Sequence, residues 1–346
     1  MRGLRRAALR QCRGRDRARG AARRSRHPER ALPLKLDALS EILRLSRFAA
    51  NVTLDAAAHE PWCVSVPASE AMGRAHVIVD GECMLRTAHG EEATLRAGDV
   101  VLLPQGEAHL IGSTLDAEAT SLSSLMRPPV AGELLTVRLG GRGGTGTHWV
   151  SLTFTCERHL AQPLLSALPR LVFVDLAGAP PLEWLADELG LVLSASDAPF
   201  IGAAATRSRL AELVIVEALA RYVQGLPPKG QGWLAGLNDR FVGRALALVH
   251  GRPSEAWTVE KLGRLTGLSR SALAERFGEV MGVPIFGYLT DWRLQLAAES
   301  LLTTDRAIGA IAKQAGYESA GAFSAAFKRK FGKPPTAWRR KARRKS

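Results

Sequence analysis

The sequence predicts a multidomain chain: an N-terminal β-barrel, a helical connector, and a C-terminal all-α domain with two helix-turn-helix units. Three observations carry that expectation. Two segments about fifty residues apart near the C-terminal end repeat one physical plan. The N-terminal half alternates short apolar runs with Gly, Asp and Pro turns. The stretch Gly225-Leu226-Pro227-Pro228-Lys229-Gly230-Gln231-Gly232 breaks both patterns and marks the junction between them.

Composition bounds what such a chain can be. At 346 residues, 46% of them hydrophobic, it has room for two or three ordinary cores. No apolar run approaches the roughly 18 residues of a membrane span, so no membrane partner is expected. The first thirty residues lack the apolar segment of a secretory signal. The net charge of +14 is unevenly placed: residues 1–30 carry +10, residues 328–346 carry +10, and the body between them carries −6. Basic ends on an acidic body fit an anionic polymer as partner. The tail, 1–32, has no hydrophobic period and reads as disordered, or as sequence upstream of the true start. Four cysteines without C-x-x-C spacing disfavour structural zinc and place the chain in a reducing, cytoplasmic setting, at the bacterial nucleoid.

The repeated plan is mechanical. Val259/Leu262 and Ile308/Ile311 set apolar groups on one face of a short helix. Gly267 and Gly316 stop that helix in the left-handed conformation. Ser269 and Ser319 can accept the free N–H groups opening the next helix. Leu273/Phe277 and Phe323/Phe327, at i, i+4, pack it back across the first. Gly282-Val283-Pro284 and Gly332-Lys333-Pro334 close each unit. The stretch from Pro284 to about Thr303 is helical; about twenty residues at ~1.5 Å each span roughly 30 Å. One turn of B-DNA is roughly 34 Å, so one rod can offer two helices to successive major grooves.

These residues resemble the AraC/XylS transcription regulators. The resemblance covers about residues 240–340, through Trp257-Thr258-Val259-Glu260, Gly267-Leu268-Ser269, Ala315-Gly316-Tyr317-Glu318-Ser319 and Phe331-Gly332-Lys333-Pro334-Pro335. It implies a seven-helix DNA-binding domain whose recognition helices run from Ser269 to about Gly278 and from Ser319 to about Lys330. In the first, Arg270, Ser271, Ala274 and Glu275 face outward; Arg270 can pair with guanine or phosphate and Glu275 can accept from cytosine N4. In the second, the outward set of Ala320, Gly321, Ser324 and Ala325 offers few hydrogen-bonding groups. That unit is expected to hold the backbone through Ser319 and the run Lys328-Arg329-Lys330.

In the N-terminal half, Gly98-x5-Pro104-x-Gly106-x-x-His109 resembles the second cupin motif, and His76-Val77-Ile78-Val79-Asp80-Gly81 the end of the first. Cupin-type sensor domains commonly precede AraC-type DNA-binding halves. Metal-binding cupins supply a His-x-His and a glutamate from the first motif; here Arg74 stands where the glutamate would lie. His76 and His109 can still converge with Cys63 or Cys83, to bind a metal ion or to sense oxidant through a thiolate; alternatively they are ordinary core groups. His89-Gly90 reads as a hairpin tip, Asp99 as a turn residue, and the glycine run 140–144 as a loop rather than a phosphate cradle. No catalytic constellation emerges. Residues 182–193 and 207–223 are predicted helical, packing on the barrel or pairing two copies into a homodimer.

The expected organisation is thus a tail (1–32), a cupin-like sensor (33–180), a helical connector (181–224), a linker (225–237) and a DNA-binding domain (238–346). The function expected is sequence-specific regulation of transcription on double-stranded promoter DNA, in answer to a small molecule, metal or oxidant. An activator would also meet RNA polymerase. The alternatives are a DNA-tethered cupin metalloenzyme and a non-specific DNA-binding protein.

Overall fold

The computed structural model describes residues 37–69, 72–125, 134–140, 145–175, 201–227 and 230–342. The predicted tail, the predicted helix at 182–193 and glycines 141, 143 and 144 lie outside the described residues.

The N-terminal half is built from strands β1 (Ala49–His59), β2 (Cys63–Val66), β3 (Gly73–Asp80), β4 (Glu82–Thr87), β5 (Glu92–Arg96), β6 (Asp99–Leu103), β7 (His109–Gly112), β8 (Thr120–Ser121), β9 (Leu135–Leu139), β10 (Gly146–Thr155) and β11 (Val172–Asp175). Helices α1 (Ala38–Leu45), α2 (Leu122–Leu125) and α3 (Arg158–Leu165) accompany them. The strands form a six-stranded sheet, β11-β6-β3-β10-β1-β9, and a five-stranded sheet, β5-β4-β7-β2-β8. Among the described residues no ladder joins the two sheets, so the expected barrel is an open sandwich. The chain changes sheet at Gly81, between β3 and β4, and again at Ala97-Gly98, between β5 and β6.

Period-two alternation divides the six-stranded sheet into two buried faces. Ile78, Val101, Leu103 and Trp149 point between the sheets and pack with Leu85, Leu95 and Ile111 of the other sheet. Val77, Val100, Leu102, Val150 and Leu152 point the opposite way, under helices. The largest of these, α4 (Ala203–Gly225), covers that face with Val214, Ile215 and Leu219. Packing on the sheet is therefore what its apolar stripe does, while Leu213 stays 44% exposed on the outer side.

Beyond α4, helix α5 (Trp233–Asn238) lies inside the stretch expected to be linker. Trp233 and Leu234 are buried and draw the chain down onto the core beneath the six-stranded sheet. Among the described residues seven helices follow Asp239: α6 (Arg240–Gly251), α7 (Val259–Thr266), α8 (Arg270–Met281), α9 (Ile285–Thr303), α10 (Ile308–Gln314), α11 (Ala320–Phe331) and α12 (Pro335–Ala342). Helices α7/α8 and α10/α11 are the two helix-turn-helix units. Gly267 (φ 91°) and Gly316 (φ 85°) take the left-handed conformation the turns need. Each unit owns a core: Leu262, Leu273 and Phe277 with the first half of α9, and Ile311, Phe323 and Phe327 with its second half.

Candidate DNA interface and sensor site

Both recognition helices start on the serines expected to cap them. Ser269 Oγ accepts from Ala272 N (3.2 Å) and Ser319 Oγ from Ala322 N (3.1 Å), each from an extended backbone. This fixes which way each helix points. On α8, Leu273 and Phe277 are wholly buried, and Ser269, Arg270, Ser271, Ala274 and Glu275 are exposed together on the opposite side. Arg270 has a resting partner on the first helix of its unit, Glu260, at 3.0 Å.

The second unit differs. On α11, Ala320, Gly321, Ala325, Lys328 and Arg329 are exposed and Ser324 is half-buried. Lys330, expected with its neighbours to face phosphate, is instead half-buried and ion-paired with Asp291 of α9 at 2.8 Å. The reason is helical geometry: three consecutive residues cannot share a face, and Lys330 falls on the side turned to α9. Arg276, which the sequence reading passed over, is similarly held by Asp239, the cap of α6, at 2.6 Å.

In the sandwich, His76 and His109 do converge, one from each sheet, with their Nε2 atoms 2.8 Å apart. Gly106, in the turn leading to His109, takes φ 70°, and any Cβ there would sit 2.2 Å from the carbonyls of Ser69 and Met72. The carbonyl of Glu107, 2.9 Å from His109 Nδ1, can only accept, so that nitrogen carries the proton. His109 Nε2 then accepts from His76 Nε2–H, and His76 Nδ1 accepts from the Ser151 hydroxyl at 2.9 Å. The result is a one-directional relay of neutral rings. Burial, with His109 and then Arg74 adding to it, holds the His76 pKa well below the ordinary value; burial likewise takes His109 down to about 4. Ser151 was not foreseen, although it interrupts the apolar run of β10 on the inward-facing parity.

The cysteines do not join them. Cys63 pairs in register with Gly112, and Gly112 with Met84, on the outer side of the five-stranded sheet. Cys83 faces inward with Leu85. One sheet thus separates the two thiols, and among the described residues no group of three His, Cys, Asp or Glu side chains is placed to hold a metal. Burial raises the Cys63 pKa and pushes Cys83 up to about 12, so neither is a ready thiolate. The donor set also fails the metal test on its own chemistry. The Nε2 atoms of both rings are spent on each other, and a guanidinium stands where a carboxylate ligand would be needed.

A sandwich fused to two helix-turn-helix units on one rod defines a DNA-binding protein with a separate β domain. The comparisons with known proteins give the same division. A family model described as cupin matches residues 37–224, more than half of the chain, and one described as a helix-turn-helix domain matches residues 262–341. The chain belongs to the cupin family and is an AraC-family DNA-binding transcription regulator. Similar relatives include the HTH-type transcriptional regulator AlkR of Acinetobacter baylyi, 29% identical over 89% of this chain and 100% of that one. Another is the RCS-specific HTH-type transcriptional activator RclR of Escherichia coli, 28% identical over 89% of this chain and 99% of its own length. Among the described residues, no helix is long and apolar enough to cross a membrane.

Proposed function

We propose that this regulator reads promoter DNA chiefly with α8, clamps the backbone with α11, and answers a small-molecule effector in its cupin domain. The observation that carries the reading is the inequality of the two helices. The exposed face of α8 bears a guanidinium and a carboxylate, whereas that of α11 bears alanines and glycine, ending in exposed Lys328 and Arg329. Side chains that reach base edges discriminate bases; lysines, arginines and backbone N–H groups hold phosphates. A homodimer docked along the outer face of α4, contact with RNA polymerase, and action at the cytoplasmic nucleoid belong to the same reading.

The test is selection from a randomised DNA pool with wild-type protein and with Arg270→Ala and Glu275→Ala. Wild type is expected to enrich a discrete motif, and each substitution to relax it at a different base position, costing about 1–3 kcal/mol there. An unchanged motif in Arg270→Ala would sink the assignment of α8. Smooth, sequence-blind binding by the wild type would favour a non-specific DNA-binding protein instead.

A further inference from the structure

The rod that joins the two helix-turn-helix units carries a cation that touches both of them. Arg293 lies near the middle of α9, next to Trp292, and is half-buried. Its Nε donates to the Pro253 carbonyl at 2.7 Å and its Nη2 to the Glu255 carbonyl at 2.8 Å. Those carbonyls belong to the loop that leads from α6 into α7 and opens the first unit. On the other side Nη1 lies against the bare Cα of Gly316, in the turn of the second unit; a Cβ there would sit 2.8 Å from it. All three guanidinium nitrogens are thus set against backbone, two on one unit and one on the other.

Backbone partners matter because each moves with the body it belongs to. The loop is tied to the first unit by Glu255, whose carboxylate meets Lys261 of α7 at 2.5 Å. It is closed on itself by Trp257 Nε1, which donates to the Arg252 carbonyl at 2.9 Å. Gly316 is tied to the second unit by its own N–H, donated to the Lys313 carbonyl at 3.0 Å. Beside Arg293 a cleft, not packed hydrocarbon, lies between the units: about 240 Å³ opens between Pro253 and Ser254 on one side and Gln314 and Ala315 on the other. Each unit packs its core on a different half of α9. Long helices are rarely straight, so the rod alone does not fix the angle between its two loads. A planar guanidinium, with its donor directions fixed, does.

We infer that Arg293 is a positioning residue: it sets the angle between the two units and so holds α11 on the phosphate backbone while α8 sits in its groove. It acts through those helices and not by contact with DNA. The inference rests on the reading of α8 as the base reader and α11 as the clamp. Two linked binding elements gain affinity because the second contact becomes intramolecular, and the gain is lost when the geometry forbids both at once.

The experiment is an anisotropy titration of the full-length protein with two duplexes at one salt concentration. Both carry the motif that wild type selects; the short one ends at the motif, and the long one continues for a further helical turn at each end. Wild type is expected to bind the long duplex at least roughly tenfold more tightly. Arg293→Met should keep the wild-type affinity for the short duplex and bring the advantage of the long one below about threefold. Arg293→Lys, which keeps the charge without the fork, should lose part of the advantage. A full advantage surviving in Arg293→Met, or an equal loss on both duplexes, overturns the inference and leaves the reading of the two helices standing. If Arg293→Met does not fold, Arg293→Lys decides, and a full advantage there is the overturning result. A wild type that selects no motif, or gains nothing from the long duplex, removes the reading and the inference with it.

Discussion

The backbone carbonyl of Glu107 has no proton to give, and from that one fact the protonation of the whole relay follows: Nδ1–H on His109, Nε2–H on His76, and the Ser151 hydroxyl as first donor. Both rings must stay neutral for the relay to exist. In the unfolded chain an imidazole takes its proton near pH 6.5; in the fold His109 does so only at about 4, and His76 also below the ordinary value. Between those limits the unfolded state binds more protons, so stability is present above about pH 6.5 and is lost as pH falls toward 4. His250, wholly buried against Tyr288 and taken by burial to about 3, adds to the same slope. Thermal unfolding followed from pH 7 to pH 4 should show a falling Tm, and His76→Asn should make the decline shallower. Ser151→Ala should cost about 1–2 kcal/mol at pH 7 by leaving His76 Nδ1 unsatisfied. A pH-independent Tm would contradict the relay.

At the scale of the element, the lysines of α11 separate by face. Lys328→Ala should reduce the slope of log K against log salt by about one without moving Tm, since Lys328 is exposed and its charge is free for a phosphate. Lys330→Ala should leave the salt slope alone and lower stability by less than about 1 kcal/mol, the worth of a partly exposed ion pair to Asp291. Band-shift titrations over salt, alongside melts, check both. The helices themselves were legible because their signals are local: Leu273/Phe277 and Phe323/Phe327 at one spacing, a glycine before each turn, a serine at each cap. What Lys330 does was not legible, because its partner sits on another helix. The same limit governs the sandwich. The short apolar runs of the N-terminal half read as strands and are strands, yet which strand pairs with which is non-local. So the motif spacing brought His76 and His109 together in advance, whereas the separation of Cys63 from Cys83 needed the register of β2, β7 and β4. The supposed linker failed for a related reason: glycines and prolines spell a break, but Trp233 and Leu234 find a core that only the folded chain provides.

At the scale of the molecule, the cupin half and the helix-turn-helix half are not two cores joined by a string. Trp292, in the middle of α9, packs into the cluster that holds Val150, Leu152, Leu164 and Leu219 of the cupin half, while the two ends of α9 serve the two helix-turn-helix units. The sheet that carries His76 on its inner face therefore backs directly onto the core that Trp292 enters. Trp292→Ala should cost about 3–5 kcal/mol and split a single calorimetric transition into two. The same junction holds a buried carboxyl. Glu299, two turns further along α9, is 8% exposed, and among the described residues neither of its carboxylate oxygens has a hydrogen-bond partner. Burial raises its pKa and Glu157 of the sensor adds to this, while Arg47, already paired with Glu157, opposes it. A carboxyl whose folded pKa is raised holds its proton more tightly in the fold than out of it. Its stabilising effect is present at low pH and is lost as pH climbs from the ordinary carboxylate value through the raised one. Docking of the two halves is then weakest when Glu299 is ionised, which leaves the junction easier for an effector to shift. Glu299→Gln should raise stability on the order of 1 kcal/mol at neutral pH and by little near pH 4. The check is a pair of melts at the two pH values. A variant no more stable than wild type at pH 7 would mean that the carboxylate finds compensation in solution, and that the junction is held by its apolar contacts alone.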